Sequence, residues 1–193
     1  MIPLFIKQHN KNNQRMTVRD NRGQILYFIE GRWGRKNDIV SLYNLEGDLL
    51  ISVKQTKQTP FPVFTIRAEQ EEIGTMRKHP GLFGIRDSYF SLYPHEWMVT
   101  GDFEEAYYTV TKENELIMEC EKDLYQQYAI YNLMVDKEEN IPLCAIISTL
   151  FDPYSRIKGD QEDTDTLADS DYDLGFNSGA SFSYSTKRQV SGK

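Results

Sequence analysis

Apolar and polar residues alternate through most of the chain before Pro142, in short runs separated by turn residues. In the runs that follow Gly47 and Asn114, every second position is apolar, which turns one face of each run towards a core. Gly and Asn also accept the positive φ of a tight turn. The pattern predicts the hairpins SLYNLEGDLLISVKQ, YTVTKENELIMECEK and TVRDNRGQILYFIEG, the last turning at Gly23, and the strands FPVFTIR and QYAIYNLMV. The stretch HPGLFGIRDSYFSLYPHEW, which mixes aromatics with Pro and Gly, is predicted as a loop or an edge crossing.

The chain also echoes itself at a spacing of 67 residues. Shifting residues 34 to 76 by that amount aligns 13 apolar positions, against roughly 7 expected by chance. It also places Gly34 on Gly101 and Leu49 on Leu116. This internal repetition predicts a single β-domain built from two related halves.

One segment breaks the β pattern. Between Pro142 and Pro153, LCAIISTLF is apolar on nearly all sides, so a helix here of about ten residues must be buried and surrounded by the strands. Pro142 suits the first turn of that helix and Pro153 its end. Beyond residue 157 the chain is acidic and rich in Ser and Gly, which predicts a folded domain over 1–157 and a disordered tail over 158–193.

Composition supports a β-rich domain and narrows the function classes. Of the 193 residues, 39% are hydrophobic, and 12 Tyr and 10 Phe favour strands. The opening MIPLFIKQHNKNNQ lacks the features of a signal peptide, and no window approaches 18 apolar residues, so we expect a cytoplasmic protein, soluble or peripheral at a membrane. Cys120 and Cys144 have no partner at metal-ligand spacing and are predicted to be buried, reduced thiols.

The net charge of −7 is unevenly distributed. Residues 1–78 carry +5, residues 79–152 carry −10, and the remainder carries −2. Such a split either marks an anion-facing surface on the first half or lets the two halves attract each other. The low pI and the absence of a continuous basic stripe argue against a nucleic-acid partner.

With PLFIKQ at the start, TVRDNRGQILYFIEG, SLYNLEGDLLISVKQ and MVTGDFEEAYYTV, the chain from residue 2 to 152 resembles the LURP-one-related proteins. These belong to the tubby C-terminal-like superfamily, which includes the phospholipid scramblases, and many are small bacterial proteins. The resemblance implies a closed antiparallel barrel of about twelve strands, in two related halves around a central C-terminal helix.

The same resemblance implies a binding role. Tubby-type members bind phosphoinositides and scramblases act at membranes, whereas the LURP-one branch is largely uncharacterised. This chain lacks the cysteine-rich acylation cluster of scramblases, and its acidic run around Asp163 and Asp165 lacks the Gly and closing Glu of a calcium loop. The basic residues of tubby cannot be transferred to it one by one.

Nothing in the sequence is organised for catalysis, so neither an enzyme nor a cofactor or metal is predicted. His9, His79 and His95 lie in loop-like sequence, with His79 interpreted as an exposed turn residue. The adjacent pairs Glu71–Glu72 and Glu104–Glu105 would point to opposite faces of a strand and are interpreted as solvated hairpin positions.

Basic residues supply the candidate binding site. Some surround Trp33 in GRWGRK, and others lie towards the ends of strands that the repeat makes neighbours. Together they could hold a phosphorylated head group through charge-assisted hydrogen bonds, with the indole at the lipid interface. The alternative is that they cap strand ends to keep edges soluble. The candidate ligand-binding residues are Arg32, Trp33, Arg35, Lys36, Lys54, Lys57, Arg67, Arg77 and Lys78.

The favoured hypothesis is therefore a non-enzymatic binding module for an anionic lipid or another phosphorylated small ligand. Two alternatives remain. One is a protein-interaction adaptor whose acidic tail docks onto a basic partner or onto the basic half of its own barrel; the other is an enzyme of unknown type.

Overall fold

Twelve antiparallel strands close into a barrel in a computed structural model of the chain, which describes residues 1–8, 15–32, 35–58, 60–81, 87–105, 107–125 and 128–151. Each strand pairs with the next along the chain, and β1 closes the barrel against β12. The strands are β1 (Ile2–Gln8), β2 (Arg15–Asp20), β3 (Ile25–Gly31), β4 (Ile39–Tyr43), β5 (Leu49–Lys57), β6 (Val63–Ala68), β7 (Glu71–His79), β8 (Tyr89–Tyr93), β9 (Trp97–Asp102), β10 (Tyr107–Lys112), β11 (Glu115–Tyr125) and β12 (Tyr128–Val135). The predicted tail beyond residue 157 lies outside the described residues and stays a prediction.

Helix α1 (Ile141–Leu150) follows a short 3-10 turn over Glu138–Asn140 and contacts β4, β5 and β12. We call the end where β12 leads into the helix the lower end, and the end where β5 and β7 finish the upper end. Nine of the ten helix residues are buried, in agreement with the predicted helix that has no polar face. The buried Ser148 and Thr149 hydroxyls donate back to the carbonyls of Ala145 and Ile146, which satisfies both without a polar face.

A buried hydrogen bond and an aromatic cluster join the helix to the barrel wall. The Tyr108 hydroxyl donates to the carbonyl of Ser148 over 2.7 Å, across 40 positions of sequence. The ring of Phe151, directly after the helix, has its centroid 4.7 Å from that of Phe90 and 5.0 Å from that of Phe103. Alternating positions of the strands supply the rest of the core, including Ile6, Val18, Ile29 and Met76, which are fully buried.

The repeat is visible in the pairing register. The register shifts directly after the Leu42–Ile51 pair in the first half and directly after the Val110–Met118 pair in the second. Ile51 and Met118 therefore correspond, at the predicted spacing of 67. The spacing differs further back in each half. Gly34 lies outside the described residues, and the counterpart of Gly101 is Gly31: both have φ near +140° and both lack room for a Cβ against the next strand.

Four local predictions were wrong. Leu49 and Leu116, the first apolar positions of the runs predicted to face the core, are exposed, because the register of each strand shifts directly after them. Residues Tyr89–Tyr93, inside the predicted loop, form strand β8, because Phe90 and Leu92 alternate into the core. The positive φ of the β10–β11 turn is at Glu113 and not at Asn114. His79 is not an exposed turn residue: it ends β7, its Nε2 lies 2.7 Å from the Ser91 hydroxyl, and its ring stacks on Tyr89.

Both cysteines are buried and free, as predicted. Burial raises the pKa of the Cys120 thiol to about 12 and raises that of Cys144 as well, because a thiolate is poorly solvated in the core. Among the described residues, no helix has the length and apolar character needed to cross a membrane.

Tyr108→Phe should lower the free energy of unfolding by about 2 kcal/mol, because the Ser148 carbonyl loses its buried donor. Tyr107→Phe is the matched control: its hydroxyl donates to Glu119 at the surface, and we expect no measurable change. Urea unfolding of both variants provides the comparison, and equal stabilities would contradict the role of the buried bond.

Gly101→Ala should destabilise the barrel by about 3 kcal/mol, because the new Cβ would overlap the Tyr107 carbonyl oxygen on a backbone with φ +142°. Gly23→Ala, also at positive φ but with open space around it, should cost only about 1 kcal/mol. Thermal or urea unfolding gives both values. Comparable losses would mean that the close approach of β10 is not what requires glycine.

Candidate functional site

A β-bulge near the end of β5 decides where Lys57 points. In β5 the side chains of Ile51, Val53 and Gln55 point inward and are buried. Strict alternation would also turn Lys57 inward, but the register shifts between Gln55 and Lys57. Lys57 therefore pairs with the outward-facing Val63 and is exposed. The side-chain amide of Gln55 donates to the backbone carbonyl of Lys57 over 3.1 Å, which supports the bulge from inside.

This places two cations in one row across three strands. Lys57 pairs with Val63 on β6, and Val63 pairs with Arg77 on β7. Two strand spacings separate the cations, about 10 Å between their backbones, which long flexible side chains can bridge. Lys54 lies on the same outer face of β5, in register with Thr65. All three cations are exposed.

The β3–β4 connection adds two more cations. Its backbone is bonded to β5, with the Asn37 amide donating to the Gln55 carbonyl over 2.7 Å and the Gln55 amide donating to Asp38 over 3.0 Å. The Asp38 carboxylate accepts a hydrogen bond from the Arg35 backbone amide, which closes the turn. Arg35 and Lys36 are exposed beside the upper part of β5. We call the five side chains Arg35, Lys36, Lys54, Lys57 and Arg77 the basic patch.

Two exposed apolar side chains border the basic patch. Ile39 pairs directly with Lys54 and is 46% exposed. Phe61, in the β5–β6 connection, is 47% exposed, and the Lys78 amide holds this connection to β7 by donating to the Pro62 carbonyl. Neither residue was predicted from the sequence to belong to a binding site. In the sequence, Ile39 is an apolar residue at the start of a strand and Phe61 is an apolar residue between two prolines. Neither feature by itself indicates a binding site.

Of the remaining candidates, Arg67 and Lys78 lie away from the patch. Arg67 lies near the lower end of β6, in register with Glu72. Lys78 is half-buried, and its Nζ lies 6.0 Å from the centroid of the Phe90 ring. Arg32 is exposed at the start of the β3–β4 connection, where its amide donates to the Ile39 carbonyl. Trp33 lies outside the described residues.

A concavity of about 500 Å³ lies at the lower end, lined by residues of both charges. His95 is half-buried there, hydrogen-bonded to the backbone of Ile73 and packed 5.5 Å from the Trp97 ring. Its Nε2 is enclosed and has no hydrogen-bond partner in the described part of the chain. Burial, reinforced by the charge of Lys112, lowers the pKa of His95 despite the bond to Ile73. The neutral imidazole thus suits this position.

Catalytic and metal chemistry gain no support from the described residues. No group of three or more His, Cys, Asp or Glu side chains within them is arranged to hold a metal ion. The backbone amides of Glu104 and Glu105 both donate to the Asp102 carboxylate, so this carboxylate has a structural role in the turn. His9 lies outside the described residues.

Comparison with known proteins agrees with this barrel and with its extent. A family model described as LURP-one-related matches residues 2–152. The chain belongs to the LURP-one-related family. An X-ray structure of an Arabidopsis thaliana protein shares the fold with a TM-score of 0.50 and 10% sequence identity, covering 79% of this chain and 91% of that one. No curated protein matches the sequence significantly. The family and the barrel are consistent with a non-enzymatic binding module.

Acidification should destabilise this LURP-one-related barrel partly through His95. Because the folded pKa lies below the unfolded value of about 6.5, the unfolded state binds more protons as the pH falls, and the folded state loses stability below that pH. His95→Gln should flatten the dependence of the urea midpoint on pH between about 7.5 and about 5. Parallel profiles for the two proteins would contradict this assignment.

Proposed function

We propose that this protein is a non-enzymatic binding module that holds phosphorylated, anionic lipid head groups through the basic patch. The observation that carries the proposal is the exposed row of Lys57 and Arg77, with Lys54 beside it on the same outer face. Several cations that can reach one anion form charge-assisted hydrogen bonds to its oxygens. The resemblance to phosphoinositide-binding and membrane-acting relatives in the superfamily supports the same class of ligand.

The apolar border favours a lipid surface as the source of the phosphate. Phe61 and Ile39 are exposed next to the cations, and such side chains can enter the interface while Lys and Arg contact head groups. Each cation near an anionic surface contributes about 1 kcal/mol, so a patch of five supports reversible, peripheral attachment. In this proposal the barrel works at the cytoplasmic side of a membrane.

Vesicle sedimentation tests the patch. Lys54→Glu with Arg77→Glu should weaken binding to vesicles of phosphatidylcholine with phosphatidylserine or a phosphoinositide by about 30-fold or more, since two contacts of about 1 kcal/mol are lost and two repulsions are added. Arg22→Glu with Arg67→Glu changes the net charge equally at the lower end and should bind almost as the wild type does.

A soluble competitor separates the two sources of phosphate. If lipid surfaces are the ligand, inositol trisphosphate should displace the protein from vesicles only weakly, because it lacks the apolar interface. If a free phosphorylated molecule is the ligand, inositol trisphosphate should bind in calorimetry while vesicles do not. No binding to either at low ionic strength would exclude the proposal.

The adaptor alternative depends on the acidic tail, which lies outside the described residues, and it stays a prediction. Deleting residues 158–193 tests it, because loss of a captured basic partner would assign that contact to the tail.

A further inference from the structure

Strand β11 presents a row of carboxylates on the outer surface of the barrel. Met118 and Cys120 point inward and are fully buried, so Glu119, Glu121 and Asp123 share the outward face at every second position. We call these three side chains the acidic stripe. They extend along about 13 Å of the strand.

The neighbours of the acidic stripe orient it without neutralising it. The Tyr107 hydroxyl donates to Glu119 over 2.9 Å, and the Asn132 amide donates to Asp123 over 2.6 Å. Glu121 is exposed between them. Because both donors are uncharged, they leave the negative charge of the stripe in place and hold the carboxylates of Glu119 and Asp123, while the exposed cation Lys7 lies two strands from Asp123 in the same row.

The acidic stripe and the basic patch lie on opposite sides of the barrel. Counted in either direction around the closed sheet, β11 and β5 are six strands apart. Both charged sets also extend towards the upper end, since Lys57 ends β5 and Asp123 is near the end of β11. One barrel cannot bring its own two surfaces together, whereas two barrels lying side by side can.

We propose that copies of this protein associate head to tail, with the acidic stripe of one copy against the basic patch of the next. The dimensions are compatible: Lys54 and Lys57 are about 7 Å apart along the sheet because the bulge takes up one residue, and Arg77 lies about 10 Å to the side of Lys57, facing a stripe of about 13 Å. Such a contact is heterologous, so it leaves one unused surface of each charge at the ends of a row. Ion pairs at an exposed contact are weak and screened by salt, so the association is reversible and favoured by high local concentration.

This inference goes beyond the proposed function and depends on where the charges lie, not on lipid binding. It does use the basic patch, so a copy that contacts anionic lipid through the patch keeps its acidic stripe available for another copy. The two ideas fail separately, because vesicle binding tests one and sedimentation without lipid tests the other.

Sedimentation velocity of the full chain at high protein concentration tests the association. We expect the weight-average sedimentation coefficient to rise with concentration at about 0.02 M salt and to return to the monomer value at about 0.3 M. Reversing the stripe, with Glu119→Lys, Glu121→Lys and Asp123→Lys, should abolish the rise, and so should reversing the patch with Lys54→Glu, Lys57→Glu and Arg77→Glu.

An equimolar mixture of the two reversed proteins is the decisive measurement. One carries two basic surfaces and the other two acidic surfaces, so the mixture should associate although each protein alone does not. Glu71→Lys with Glu72→Lys, at the lower start of β7, is the control and should associate like the wild type. Circular dichroism checks that each variant is folded, and the stripe-reversed protein should still bind anionic vesicles.

Two results would overturn the proposal. One is a mixture that stays monomeric while both components are folded. The other is a wild-type chain that stays monomeric at low salt but binds a basic peptide in a manner lost on stripe reversal, which would make a different basic protein the partner.

Discussion

Burial of helix α1 is the constraint on which the rest of this structure depends. The helix is apolar on nearly every side, so a single sheet packed against one face would leave the remainder in water. Each buried Leu or Ile contributes about 1.5–3 kcal/mol to the free energy of folding. A closed wall of strands buries all the apolar side chains of the helix together. Closure also pairs every strand edge, since β1 meets β12.

The filled interior directs chemistry to the outside of the barrel. Inward positions are occupied by core side chains from the strands and by the helix, so the side chains accessible to a ligand are those at outward positions and at the ends. On that surface the backbone decides which side chains lie together. A bulge in β5 turns Lys57 outward, and the hydrogen-bonded β3–β4 connection brings Arg35 and Lys36 beside β5. In the second half, a bulge precedes Met118, and the alternation of β11 beyond it produces a row of acids.

Much of the fold could be predicted because its signals are local or periodic. Alternation, turn glycines such as Gly23 and Gly47, and the repeat predicted the hairpins and the two halves, and the helix was evident from its lack of a polar face. Strand β8 was missed because Pro and Gly before it and Pro94 after it suggested a loop, although Phe90 and Leu92 were buried by pairing with β7 and β9. The positive φ at Glu113 was missed because the turn, fixed by strand register, overrode residue preference.

The candidate site shows the same division. The sequence by itself determined which residues are basic, that the halves differ in charge, and that an apolar segment must be enclosed. Only the tertiary structure decided that Lys54, Lys57 and Arg77 share a face while Arg67 lies at the other end, and that the acids of β11 face away from them. The reason is that side-chain direction in a barrel depends on register, bulges and closure, which are set by contacts between strands distant in sequence.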